Sequence, residues 1–184
     1  MGFLMDTGKG LFVAALLAAL LLTPIPALPG SSPRTATGDQ LRALFVQRLV
    51  RYVTWPEDAA PADGEPVIVA ATDAESLRPY FDDAGDSGGF RLVQWPVDTC
   101  HVLVLAGAPD RSAAAILQWA SRRPVLTVGQ SPASLRMGAV VNLFLSDGKL
   151  KLEINPEAAE RAGLDISSRL LGLARIYHGG DNAR

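Results

Sequence analysis

The chain has 184 residues, 48% of them hydrophobic, with 17 Lys and Arg against 19 Asp and Glu and a formal net charge of −2. That near-neutral balance excludes the basic face that nucleic-acid binding requires, and the length allows one ordinary domain with a full core. With Cys100 as its only cysteine, the chain has no internal disulfide, which leaves a buried thiol or an intermolecular bond.

The N-terminus has the three-part plan of a secretory signal peptide. Lys9 precedes an apolar run from Leu11 to Leu22, then the helix-breaking Thr23-Pro24-Ile25-Pro26 and small residues up to a cleavage point near Leu28-Pro29-Gly30. The run is shorter than the ~20 residues that span a bilayer as a helix, so cleavage is favoured over an uncleaved anchor. No cysteine follows it, which argues against a lipoprotein. The expected organisation is a signal peptide over 1–30, a linker over 31–38, one domain over 39–178 and a flexible tail over 179–184.

A helix is predicted from Gly38 or Asp39 through Val53. Leu41, Leu44, Phe45, Leu49, Tyr52 and Val53 form its apolar side, with Arg42, Arg48 and Arg51 towards the other. It ends at Thr54-Trp55-Pro56, because the residue before a proline is pushed out of the helical region. After an acidic loop, Val67–Ala71 reads as a strand buried on both faces. A helix over Ala74–Phe81, a Gly/Asp/Ser loop and a strand over Phe90–Trp95 follow. Next come a buried strand over His101–Ala106, a helix over Asp110–Ala120, a third buried strand over Pro124–Val128 and a helical turn at Ser131–Met137. Ala139–Leu145 and Leu150–Asn155 flank Asp147-Gly148, the dipeptide of a two-residue hairpin turn. Counting outward from Ser146/Lys149 puts Leu145/Leu150, Leu143/Leu152 and Val141/Ile154 on a core face. Phe144/Lys151 and Asn142/Glu153 fall on the other face, and a one-residue slip would scramble the two sets. Asn155 caps a short helix that starts at Pro156 and stops at Gly163. Asp165 is expected to cap a last helix with Ile166, Leu170, Leu173, Ala174 and Tyr177 in one stripe.

Strands alternating with helices predict an α/β fold. The expected form is a single three-layer domain with a mostly parallel mixed sheet, helices on both faces, and a C-terminal β-hairpin followed by two helices.

Convergent acids, bases or ligands are scarce. The histidines are His101 and His178, and neighbouring strand residues point to opposite faces, so Cys100 and His101 should not meet. A structural histidine and a core cysteine are the simpler reading. No Cys, His or carboxylate cluster has metal-ligand spacing, and no serine sits in a nucleophile elbow. The reading is therefore no catalytic residue, no metal and no cofactor. Partner- or ligand-binding candidates come from three places. Arg48 and Arg51 lie on the polar side of the first helix, and Trp55 marks its end. Thr72, Asp73, Gly129 and Gln130 follow buried strands, where open α/β sheets form pockets. Asn142 and Glu153 face each other across the hairpin, where a cross-strand hydrogen bond is the plainer explanation.

Five blocks, in order, carry a resemblance: LRALFVQRLVRYVTWP (41–56), CHVLVLAG (100–107), RPVLTVG (123–129), GAVVNLFLSDGKLKLEIN (138–155) and AAERAGLDISSRLLGLAR (158–175). In these the chain resembles the YfiR family of exported bacterial proteins. It departs from the family in carrying Arg48 where an Asn is common and Ala139-Val140-Val141 within a Gly-Gly-Met-Ile-Asn run, and Cys100 lacks the partner some members have. The resemblance implies a periplasmic regulator, not an enzyme. Such a protein would bind the periplasmic domain of an inner-membrane sensor, in the understood cases a diguanylate cyclase, and hold it inactive. Cyclic-di-GMP and biofilm formation would fall. Homodimerisation is compatible with that role, and membrane contact would come only through the partner or an uncleaved signal segment. The alternative is a periplasmic small-ligand-binding domain serving another receptor. An envelope hydrolase with His101 as its only base is a third reading.

Overall fold

The computed structural model describes residues 38–82, 89–146 and 149–179. The predicted signal segment and linker up to residue 37, the glycine-rich stretch 83–88, the predicted turn at Asp147-Gly148 and the predicted tail from residue 180 lie outside the described residues.

Helix α1 (Gly38–Leu49) leads through a tight turn at Val50–Tyr52 into β1 (Val53–Thr54). Then come β2 (Val67–Ala71), α2 (Ala74–Asp82), β3 (Phe90–Gln94), β4 (Val102–Val104), α3 (Asp110–Ala120), β5 (Leu126–Gly129) and α4 (Pro132–Arg136). The hairpin is β6 (Val141–Ser146) and β7 (Lys149–Ile154), followed by α5 (Pro156–Arg161), β8 (Asp165–Ile166), α6 (Ser168–Leu171) and β9 (Arg175–Ile176). The main sheet has the order β3-β2-β4-β5-β6-β7-β9, and β1 pairs with β8 in a separate two-stranded ribbon. Strands β3, β2, β4, β5 and β6 are parallel; β7 runs antiparallel to β6, and β9 parallel to β7.

The sheet is buried on both faces because alternate residues of its central strands serve two different cores. Val69, Ala71, Val102, Val104, Leu126 and Val128 pack with Val46 and Leu49 of α1 and Leu77 of α2. Leu103 and Val125 turn the other way, towards Ala120 of α3, and Leu105 packs with Ala113 and Leu117. Each wholly buried leucine in these layers contributes roughly 1.5–3 kcal/mol. The result is the expected three-layer α/β domain, with the hairpin placed between the parallel strands and β9.

The hairpin register matches the expectation pair for pair, from Ser146↔Lys149 to Val141↔Ile154. Asn155 caps α5, its side chain accepting the Ala158 N–H at 3.0 Å, and Gly163 takes φ +70° just beyond the helix.

Four expectations are corrected. The predicted core face of the hairpin does not hold along its length: Leu143 and Ile154 are fully buried, but Leu145 is 48% exposed, three residues beyond the last pairing of β6 with β5 at Asn142. Helix α1 stops at Leu49, and Val53 is already extended at φ −119° and ψ 133°, drawn into pairing with Ile166. Its buried side is Ala43, Val46 and Leu49, whereas Leu44 faces outward. The last helix is a single turn. Asp165-Ile166 and Arg175-Ile176 are claimed by β1 and β7, so Ser167, not Asp165, caps α6 by accepting the Leu170 N–H. Tertiary pairing overrides the helical spacing there, and Leu173 of the expected stripe is 74% exposed.

Candidate functional site

A cleft of about 850 Å³ lies where α1, the hairpin and the C-terminal segment meet. Its geometry follows from short pairings. The β1–β8 ribbon and a Ser167 N–H to Tyr52 C=O bond of 2.9 Å hold α6 beside the end of α1. β9 then returns along β7. Phe45, Tyr52, Phe144, Leu150, Leu152 and Leu170 give the cleft its apolar surface, while Arg48, Lys151, Glu153 and Arg175 bring charge.

A row of cross-strand partners, three of them polar, runs across the sheet towards this cleft. Gly129, Asn142, Glu153 and Arg175 are successive cross-strand partners on β5, β6, β7 and β9. Asn142 is fully buried and donates through Nδ2 to Glu153 Oε2 at 3.0 Å. Glu153 Oε1 lies 3.4 Å from Arg175 Nη1, with side-chain exposures of 10% for Glu153 and 71% for Arg175. The row therefore carries a carboxylate from the interior out to a solvated guanidinium. Asn142 Oδ1 and Gln130 Nε2, both buried, have no hydrogen-bond partner among the described residues.

The sequence candidates thus separate in space. Arg48 and Glu153 share the large cleft, with Asn142 behind Glu153. Gly129 is closed off by Ser134 of α4. Thr72 and Asp73 line a second cleft of about 560 Å³ at the carboxyl ends of β2 and β4, with Trp95 and Gly107. One side-chain oxygen of each is engaged within the protein: Thr72 Oγ1 donates to the Ala106 C=O at 2.6 Å, and Asp73 Oδ1 accepts the Ser76 N–H at 3.3 Å. Arg51 is exposed, and Trp55 is buried with its ring edge-on to His101, centroids 6.5 Å apart. Trp55 Nε1 has no hydrogen-bond partner among the described residues.

Cys100 and His101 border a third cleft of about 400 Å³. Burial pushes the Cys100 thiol up to about 11, with Arg123 acting in the opposite sense, so the thiol stays protonated at neutral pH and is a poor nucleophile. His101 is tied into the sheet at both ends: its N–H donates to the Ile68 C=O at 3.0 Å, and its Nδ1 accepts the Ile68 N–H at 2.9 Å. That acceptor role requires a neutral ring. Burial lowers the His101 pKa, and Glu65 raises it by a smaller amount. The unfolded chain, with a histidine near 6.5, therefore takes up protons first as pH falls. Stability conferred by neutral His101 is complete above the unfolded value and is lost as pH drops through it towards the lower folded value. Urea denaturation at a series of pH values from about 7.5 to 5.5 should show a falling midpoint. His101→Asn, which keeps an acceptor but does not titrate, should flatten that dependence; an unchanged slope would contradict this role.

Lys151, Tyr52 and Arg175 are cleft residues that sequence reasoning did not select. Tyr52 was assigned to the core side of α1, and Arg175 gains its place only through β9, whose two residues carry no pattern of their own. Among the described residues, no group of three or more His, Cys, Asp and Glu side chains is placed to hold a metal ion, and no helix is long and apolar enough to cross a membrane.

Comparison with known proteins adds the following. A family model described as DUF4154, YfiR/HmsC-like, matches residues 39–175. No curated protein matches the chain. A conserved domain protein from Vibrio cholerae O1 biovar El Tor N16961 is similar in structure, with a TM-score of 0.54 at 14% identity over 76% of this chain. An ABC domain from Streptococcus pneumonia, solved in complex with L-Trp, gives a TM-score of 0.51 at 13% identity, also over 76% of this chain. The chain spans 60% of the length of each, and at these identities the likeness concerns the α/β fold alone.

Proposed function

The chain belongs to the YfiR/HmsC-like family, and from that membership we propose that it is an exported regulatory binding protein that inhibits an inner-membrane diguanylate cyclase or related sensor through the sensor's periplasmic domain. Members of the family are periplasmic and regulatory rather than catalytic. In this reading residues 1–30 direct export, 39–178 form the binding domain, and occupancy of the sensor lowers cyclic-di-GMP. The observation that carries it is the family match across nearly the whole domain, residues 39–175. The signal-peptide plan of the N-terminus supports the compartment. The large cleft, apolar with basic side chains beside it, supports binding in preference to chemistry, since inhibition by docking needs a surface and not a paired acid and base. Deleting the gene should raise cellular cyclic-di-GMP and biofilm, and restoring the exported chain should lower both; an unchanged nucleotide pool would overturn the proposal.

A further inference from the structure

We propose that the outer edge of β7, from Lys149 to Leu152, is a strand-addition site for an extended acidic segment of a partner protein. The inference rests on the reading that the chain is a binding protein and names the surface it would use. Among the described residues the sheet ends unevenly: β9 covers β7 only at Glu153 and Ile154, and the strand begins four residues earlier, at Lys149. The direction of the uncovered groups follows from the ladder. The Asn155 N–H bonds to the Val140 C=O at 2.9 Å, and the Tyr177 N–H bonds to the Ile154 C=O at 2.7 Å. Antiparallel alternation then turns the backbone of Lys149, Lys151 and Glu153 towards β6 and that of Leu150 and Leu152 outward. The large cleft runs along this outward stretch, with Leu150 and Leu152 on its lining and Phe45 and Tyr52 across from them. An incoming strand would satisfy the outward groups and place alternate side chains against that apolar wall.

Charge selects the occupant. Arg48 and Lys151 are exposed on the cleft, and neither has an ion pair among the described residues. The cleft's carboxylate, Glu153, is already engaged by Asn142 and Arg175. An acidic segment is therefore favoured. A second copy of this chain is disfavoured, because pairing two β7 edges brings Lys149 and Lys151 against their own counterparts, and edge lysines are a recognised guard against such pairing.

The test uses the exported chain and two fluorescein-labelled hexapeptides, one alternating glutamate with valine and the other lysine with valine. The glutamate peptide should bind about tenfold more tightly than the lysine peptide, and Arg48→Glu with Lys151→Glu should remove or reverse that preference. In amide NMR the Leu150 and Leu152 signals should shift and their exchange should slow on titration. Leu150→Pro, which removes an outward N–H at an edge position, should weaken binding of the glutamate peptide while the fold, checked by the same spectra, is retained. Equal affinity for the two peptides, or shifts clustered away from β7, would overturn the proposal. So would Leu150 and Leu152 amides already protected in the free chain, which would point to its own N-terminal segment, or protection that rises with chain concentration, which would point to a second copy. A sensor fragment that binds wild type and the charge-reversed variant equally would remove this site and leave the regulatory function standing. A sensor fragment that binds neither would remove the regulatory function, while the peptide titration still decides the edge.

Discussion

Replacing Gly129 with alanine should lower the unfolding free energy by about 3 kcal/mol, the upper end of the cost of overpacking a filled site. A β-carbon at this position would sit 2.2 Å from Ser134 Cβ and 2.5 Å from Ser134 Oγ. Ser134 Cβ moves only with its backbone, and that backbone is held: its N–H bonds to the Ser131 C=O, and its C=O accepts the Ala139 N–H, both at 2.9 Å. Helix α4 would have to lift from the end of β5. Ser134→Gly removes both atoms that the new methyl meets, so the double variant should be less damaged than the sum of the single ones by about 1 kcal/mol or more. Denaturation curves of the four proteins give this directly. Strict additivity would mean that the close approach of Gly129 to Ser134 is not what requires a glycine there.

Glu153→Ala should cost about 2 kcal/mol, because it strips the acceptor from a fully buried amide. Asn142 is fully buried, its Oδ1 has no hydrogen-bond partner among the described residues, and its Nδ2 donates to Glu153. Arg175→Ala should cost less, about 1 kcal/mol or below, since the guanidinium is largely solvated and Glu153 keeps its internal donor. Glu153→Gln retains a carbonyl acceptor and should fall between wild type and the alanine variant. The ordering of these three substitutions in urea denaturation is the check; an Arg175→Ala loss exceeding that of Glu153→Ala would reverse the account of where the row is anchored.

The hairpin shows why part of this molecule could be read from its sequence. An Asp-Gly turn and two cleanly segregated side-chain sets leave one register that works, and the observed pairs are those. Asn155-Pro156 and Gly163 mark the limits of α5 by local chemistry alone. The C-terminal segment was illegible for the opposite reason. Its apolar spacing suits a helix, yet Asp165-Ile166 and Arg175-Ile176 are strands because Val53-Thr54 and Glu153-Ile154 are there to pair with them. A two-residue strand leaves no period to detect. The candidate site inherits this division. Glu153 and Asn142 could be placed by counting from the turn, and Arg48 stood out as one of three arginines on the polar side of the first helix. Arg175 could not be placed, because its position depends on β9. The cleft itself could not be foreseen either, since Tyr52 and Leu170 look like ordinary core positions until α1 and α6 are seen beside β7.

Two features of the cleft bear on the proposed docking together. Its charged residues are carried by rigid elements, Arg48 in the last turn of α1 and Lys151 and Glu153 on a paired strand. Its apolar surface is continuous with the main core through Leu49 and Leu170. A docking surface built this way needs little ordering on binding, which favours affinity.

The most direct measurement is a titration of the purified chain into the periplasmic domain of an inner-membrane diguanylate cyclase from the same cell. Calorimetry should follow binding, and cyclase output should be read in parallel with the full-length membrane protein. The proposed regulatory function predicts saturable binding and a matching fall in cyclic-di-GMP synthesis. Folded proteins that exchange no heat at any ratio, with cyclase output unchanged, would contradict it.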